Sequence, residues 1–290
     1  MRTRILCLCF VCWCFVLSYT GCATWDAPGE AQVLPVPRLA PDGVVLEVEF
    51  VRVPTARTDE FIGLWSEVDE QQIPLDVRRR LDANGIRSGV VGLQLPVFLR
   101  DLLDAEKPAY EQLSEGDLVP DSDIFSNYQR LQCRSGSRKR VVASPQMPGT
   151  SVIILKLDGR LRAEPYDAAQ AVFTVATYPQ GDGRVRVVVT PMIEHGQPQM
   201  KFVALPGSIA MQTGREKTEF DQMKIETLLS PGQTLIVAGA TDAKGLGGFV
   251  FHDSIGSNQR SMMLLRLAQS QYDDLWSEER TLSPLTTRIE

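Results

Sequence analysis

Apolar and polar positions alternate through VVLEVEFVRV, residues 44–53, and Pro54 ends the run. A period of two places alternate side chains on opposite faces of an extended chain, so this stretch predicts a half-buried strand. The period then lengthens. Phe61, Leu64, Trp65 and Val68 recur at helical spacing behind Thr58, which can cap the first turn. LDVRRRLDA, residues 75–83, predicts a second short helix, stopped by Asn84-Gly85 as a left-handed cap. Ile86 to Leu93 returns to extended chain, and PVFLRDLLD predicts a third helix with Pro96 in its first turn. The acidic, irregular stretch at 105–122 reads as a boundary, which makes 44–122 a small α/β module.

Beyond it the pattern is that of short strands. SVIILKLDG, AQAVFTVATYPQGDGRVRVVVTPMIEHG, QPQMKFVAL, KTEFDQMKIETLLSPGQTLIVAGAT and SMMLLRLAQSQ are separated by Gly, Pro, Asp and Asn turns. PQGDGR between two alternating runs is a hairpin signal. Seven or more strands are expected between Tyr128 and Ser270. LLSPGQTLIVAGATD, residues 228–242, reads as a strand, a tight turn and a second strand. Pro231-Gly232 suits a type II turn, in which Gly232 takes positive φ. TLIVAG reads as a strand buried on both faces, with Gly239 allowing a bulge or a close strand approach. The predicted class is α+β: a small N-terminal α/β module, then a mainly antiparallel β domain over 123–270 and a tail at 271–290.

The N-terminus belongs to targeting rather than to the fold. Arg2 and Arg4 precede an unbroken apolar run of 13 residues, Ile5 to Leu17, too short for a permanent membrane helix and suited to a secretory signal over 1–21. SYTGC follows, with Thr20 and Gly21 before Cys22. This resembles the lipobox of bacterial lipoproteins, and the resemblance implies lipidation of Cys22. Ala23 after the cysteine resembles lipoproteins sent to the outer membrane. Residues 22–43, rich in Pro, Ala and Gly, read as a tether of extended character.

Loss of Arg2 and Arg4 with the signal leaves 28 basic against 36 acidic residues, net −8. That balance argues against nucleic acid as a partner, since phosphate contacts need basic surface. Five of the six cysteines lie at or before Cys22, so Cys133 stands alone in the folded part and no internal disulfide is expected. Basic neighbours in LQCRSGSRKR could depress its pKa, yet a strand position with no nearby histidine favours an inert, half-buried thiol.

The search for chemistry returns little. The only histidines, His195 and His252, both read as flanking hairpin turns. No metal-ligating spacing and no nucleophile elbow occurs, so no metal, cofactor or catalytic residue is assigned. GLGGF at 245–249 lacks the lysine of a phosphate loop and does not read as opening a helix. Asp69 and Glu70, adjacent on a predicted helix, point about 100° apart and read as surface charge. Arg78-Arg79-Arg80 and RSGSRKR at 134–140 read as solvated, the latter as an exposed hairpin tip.

The order of segments in the β half is similar to the conserved C-terminal domain of bacterial secretins. In that family an SP segment precedes a strand carrying V-x-P-x-I, followed by a G-Q-T-L-V-I-G-G hairpin and a closing apolar strand. Ser144-Pro145, Thr190-Pro191, Ile193 and Gly232 to Gly239 occupy those places here. The chain has one small α/β module where secretins carry several, and no gate strands, so the resemblance implies a shared β topology rather than a working pore. The functional expectation is a non-enzymatic envelope lipoprotein. It would be held to the membrane by its lipid and act through protein contacts, as a subunit or accessory of a secretion or pilus system. The alternatives are a stand-alone module binding a ligand or cell-wall polymer, and a hydrolase with an unrecognised site. A soluble domain that is monomeric or a small oligomer is expected, with Lys201, Arg184 and Arg186 blunting strand edges.

Overall fold

The alternating run forms β1 (Gly43–Val53) and feeds two cores at once. Val44, Leu46, Val48 and Phe50 join one apolar cluster, while Val51 and Val53 join another on the opposite face. The computed structural model describes residues 42–111, 127–205, 208–252 and 259–270. After β1 come α1 (Thr58–Leu64), α2 (Leu75–Ala83), β2 (Ile86–Val91) and α3 (Val97–Glu111). The strands β3 (Tyr128–Arg134), β4 (Arg138–Val142), β5 (Thr150–Leu157), β6 (Arg160–Asp167), β7 (Gln170–Pro179) and β8 (Val185–Leu205) follow. The remainder is β9 (Ser208–Glu219), β10 (Ile225–Leu229), β11 (Thr234–Gly239), α4 (Gly245–Phe251) and β12 (Arg260–Ser270). The class is α+β, with strands dominant.

The first sheet has the order β2-β11-β12-β1-β3, the second β10-β8-β7-β4 with β9 also on β8, and β5-β6 make a third. All pairings between these strands are antiparallel. The first sheet lies between two apolar layers. On one face Leu235, Val237, Met263, Leu265 and Leu267 meet Phe173, Val187 and Val189 of the second sheet. On the other, Ile236, Ala238, Met262 and Leu264 meet Phe61 and Leu64 of α1 and Phe98, Leu99 and Leu102 of α3. β11 is buried along its whole length because both faces are covered.

Several expectations change. Residues 44–104 do not form a sheet of their own: β1 and β2 interleave with β11 and β12, so the stretch at 105–122 is no boundary between separate cores. Its first residues are helical, since α3 runs on to Glu111. The stretch at 228–242 is not a hairpin. β10 pairs with β8 in the second sheet, whereas β11 pairs with β12 and β2 in the first. The turn between them still closes, with Gln233 N–H donating to Ser230 O at 3.0 Å, and Gly232 holds φ at 85°. Residues 134–140 likewise pass from one sheet to the other. Periodicity reports which face a residue uses, not which strand pairs with it.

Arg186 blunts no edge, because β8 lies between β10 and β7 there. The arginine instead pairs with Glu226 at 3.0 Å and stacks on Tyr178. Arg184 pairs with Asp182. Lys201 stands opposite Gln212 on the β8–β9 ribbon.

Candidate functional site

The site begins where two stretches of backbone nearly touch. Asn84 and Gly85 end α2, Gly85 with φ of 75°, and the following turn lies directly against α4. A Cβ on Gly247 would sit 1.8 Å from the Gly85 carbonyl oxygen, so only glycine admits this crossing. GLGGFVF is therefore helical, contrary to expectation: tertiary contact holds a glycine-rich segment in a conformation that its own propensity disfavours. Gly239 gives room in the same way, since a Cβ there would meet His252 and Phe251 at 3.0 Å.

His252 caps α4 and forms an isolated antiparallel bridge with Arg260, the first residue of β12. Its two ring nitrogens are buried and make no hydrogen bond. Burial pushes its pKa below the ordinary histidine value, the Gly247 backbone opposes the shift without reaching hydrogen-bond geometry, and the Arg260 charge adds to the lowering. Arg260 donates Nη2 to Thr241 O at 3.3 Å and stands over the Phe61 ring at 5.6 Å, while its Nη1 is buried without a partner.

His252 and Arg260 both line two small cavities. One, of about 170 Å³, is walled by Ala143, Ser144, Met147, Phe249 and Val250 among others, with Arg52 also lining it. The second, of about 180 Å³, is walled by Val53, Thr55, Thr58, Thr241 and Ala243. Among the described residues no acidic side chain lines either cavity. Ser144 is not a nucleophile awaiting a base. Its Oγ donates to Pro145 O at 3.0 Å and accepts from Ala171 N–H at 2.9 Å, which ties its loop to β7. No carboxylate orients His252 by a hydrogen bond, so the base-and-orienter geometry of nucleophilic catalysis is not assembled here.

A second polar cluster surrounds Glu194, whose side chain is 7% exposed. Arg140 grips it with two bonds, Nε to Oε1 at 3.0 Å and Nη2 to Oε2 at 2.8 Å, and Lys217 stands at 3.6 Å. Burial pushes this carboxyl up, but the arginine and lysine outweigh it and leave the pKa below the ordinary glutamate value. His195, expected beside a turn, lies within β8, 3.1 Å from Thr218 Oγ1 and edge-on to Tyr166. These groups are mutually satisfied and serve the fold.

The remaining singled-out residues scatter. Asp69 is exposed, as expected of surface charge, and also caps a 3₁₀ turn by accepting from Gln71 N–H at 2.9 Å, while Glu70 pairs with Arg87. Arg138 pairs with Glu219 and Arg140 with Glu194, which answers two of the four basic residues at 134–140. Cys133 is fully buried, and burial raises its pKa despite Lys139. Cys22 lies outside the described residues. Among the described residues no three His, Cys, Asp or Glu side chains gather at metal-binding distance. Arg260 is invisible to sequence reasoning, for nothing in SNQRSMM marks an arginine that will end up half-buried beside a histidine. Comparison with protein-family models, with curated proteins and with solved structures finds no match to this chain.

Proposed function

We propose that this chain is a non-enzymatic lipoprotein of the cell envelope. It is anchored through Cys22 to the outer membrane and works through protein contacts, as a subunit or accessory of a secretion or pilus assembly. One observation carries the reading. β7 leaves β8 at the Gln170–Glu194 pair, and β8 continues to Leu205 with β9 as its sole partner among the described residues. The result is a two-stranded ribbon with backbone donors and acceptors open on both edges. Such edges add strands from another chain, by main-chain hydrogen bonding that needs no pocket. The exposed face of β5–β6 supports the same reading, because Val152, Ile154 and Leu161 are each more than half exposed.

A photo-cross-linking side chain at the exposed Thr213 of β9, in the native envelope, tests this. A discrete adduct of higher mass is expected, and none from the same probe at Asp76 on the exposed side of α2. Equal adducts from both positions, or none from either, would overturn the proposal.

A further inference from the structure

The β5–β6 hairpin is a sheet of two strands with a free side. Asp158 and Gly159 take positive φ, 51° and 75°, the backbone of a two-residue turn that makes Leu157 and Arg160 a hydrogen-bonded pair. Pairs then alternate. The backbone groups of Val152, Ile154 and Lys156 on β5, and of Leu161, Ala163 and Pro165 on β6, therefore point away from the ladder. Two residues agree with this parity. Lys156 gives its outward N–H and C=O to Asn84, and Pro165, which has no N–H, stands where the ladder needs none. Asn84 thus closes part of the β5 edge. On β6 the outward backbone groups of Leu161 and Ala163 make no hydrogen bond among the described residues. They are also accessible, for Leu161 is 72% exposed and Ala163 and Pro165 are exposed beside it.

We infer that the outer edge of β6 takes a third strand from a partner protein, an extended segment whose residues alternate between apolar and acidic. This rests on the proposed role in protein contacts and adds the chemistry of the partner. On the solvent face Leu161, Ala163 and Pro165 stand beside Val152 and Ile154, so the apolar side chains of an added strand continue an apolar surface. Its remaining side chains fall in the row of Arg160 and Arg162. Both arginines are exposed and have no ion pair among the described residues. The acids nearby are already engaged: Glu164 accepts from the Tyr166 hydroxyl at 2.6 Å, and Asp158 from Gln222 at 3.3 Å. Acidic side chains on the added strand therefore meet two unanswered charges. A second copy of β6 would bring the arginine rows of both copies together, and a lipid surface would leave the backbone of Leu161 and Ala163 without partners in hydrocarbon. Pro165 ends the edge, so the pairing is short and its side chains supply the specificity.

The probe is a fluorescently labelled peptide of alternating valine and glutamate, about six residues long as strands commonly are. Titrated into the full-length protein and followed by anisotropy, it should bind saturably. Binding should be about tenfold weaker or worse for a peptide with lysine in place of glutamate, and for one of the same composition with its valines and glutamates in separate blocks. Ala163→Pro removes an outward N–H and spares the β5–β6 ladder, so it should weaken the peptide by a similar factor. Arg160→Glu together with Arg162→Glu should turn the preference toward the lysine peptide. The inference is overturned by no saturable binding up to about 1 mM, by equal binding of the three peptides, or by an unchanged preference in the charge-exchanged protein. It is equally overturned by unchanged binding in the folded Ala163→Pro protein, or by displacement of the peptide with phosphatidylglycerol vesicles, which would assign the face to lipid. If Ala163→Pro does not fold, the three peptides and the charge exchange at two exposed arginines decide alone. None of these readouts involves the β8–β9 ribbon, so their failure leaves the cross-link expected at Thr213 standing.

Discussion

Asn84 pairs with the backbone of Lys156 as if it were itself a strand: Lys156 N–H donates to Oδ1 at 2.7 Å, and Nδ2 donates to Lys156 O at 3.0 Å. The same Nδ2 also reaches Arg80 O at 2.9 Å, and the residue is fully buried. One amide therefore closes α2 and fastens β5 to it.

Asn84→Ala leaves buried backbone groups of β5 and α2 unanswered. We expect a loss of about 2–4 kcal/mol in urea denaturation, by the cost of orphaned buried polar groups. Asn84→Asp should lose nearly as much, because it keeps the acceptor but removes the donor. A loss under about 0.5 kcal/mol in both would mean that the clasp does not carry stability.

Gly232→Val meets two obstacles. A branched side chain is strained at φ of 85°, and its Cβ would stand 2.5 Å from Leu93 Cδ2. Leu93 is mostly exposed and can swing aside, so the backbone strain is what remains, about 1–3 kcal/mol. Gly232→Asn should lose less, since asparagine tolerates left-handed backbone. Equal melting temperatures for glycine and valine would refute the turn geometry.

The Glu194 cluster predicts acid sensitivity with a definite sign. Its folded pKa lies below that of the unfolded chain, so the unfolded state takes up the proton first as pH falls. Its contribution is present above about pH 4.3, the ordinary glutamate value, and is lost as pH drops through the folded pKa. Arg140→Ala should cost about 2–3 kcal/mol at pH 7, less than a fully buried pair because Lys217 remains and Arg140 is 25% exposed. Denaturation of both proteins at pH 7 and pH 3.5 (roughly a unit below the ordinary value) should show that gap narrowing. A constant gap would show that Glu194 is not the charge involved.

Cys22→Ser tests the anchor apart from the domain. The variant should leave the membrane fraction and appear in the soluble envelope fraction with an unchanged melting temperature. Retention on membranes in high salt would reject lipidation at this cysteine.

Legibility in the sequence followed the range of the interaction involved. β1, α2 with its Asn84-Gly85 stop and the hairpin of β7 and β8 were readable because period, cap and turn chemistry act over a few residues. The divergence of β10 from β11 was not, since SPGQ makes the same turn whether its flanking strands pair or separate into two sheets. Nor was α4, whose helix depends on Gly85 approaching Gly247 from a distant stretch of the chain. The candidate site was least legible of all. His252 and Arg260 look like ordinary polar residues until the bridge between them, Gly239 and Phe61 enclose them.

β1 is aligned with β12 along nearly its full length, Val44 against Ser270 and Val53 against Arg260. The first strand of the domain is thus completed by the last, and loop closure over such a separation is slow. Until residue 270 has left the ribosome, β1 lacks its neighbour along one edge. The first sheet is accordingly expected to close only once β12 has been synthesised. A chain cut short before β12 would lose not its tail but the centre of its first sheet, and should be found in aggregates or cleared by proteases rather than as a smaller folded protein.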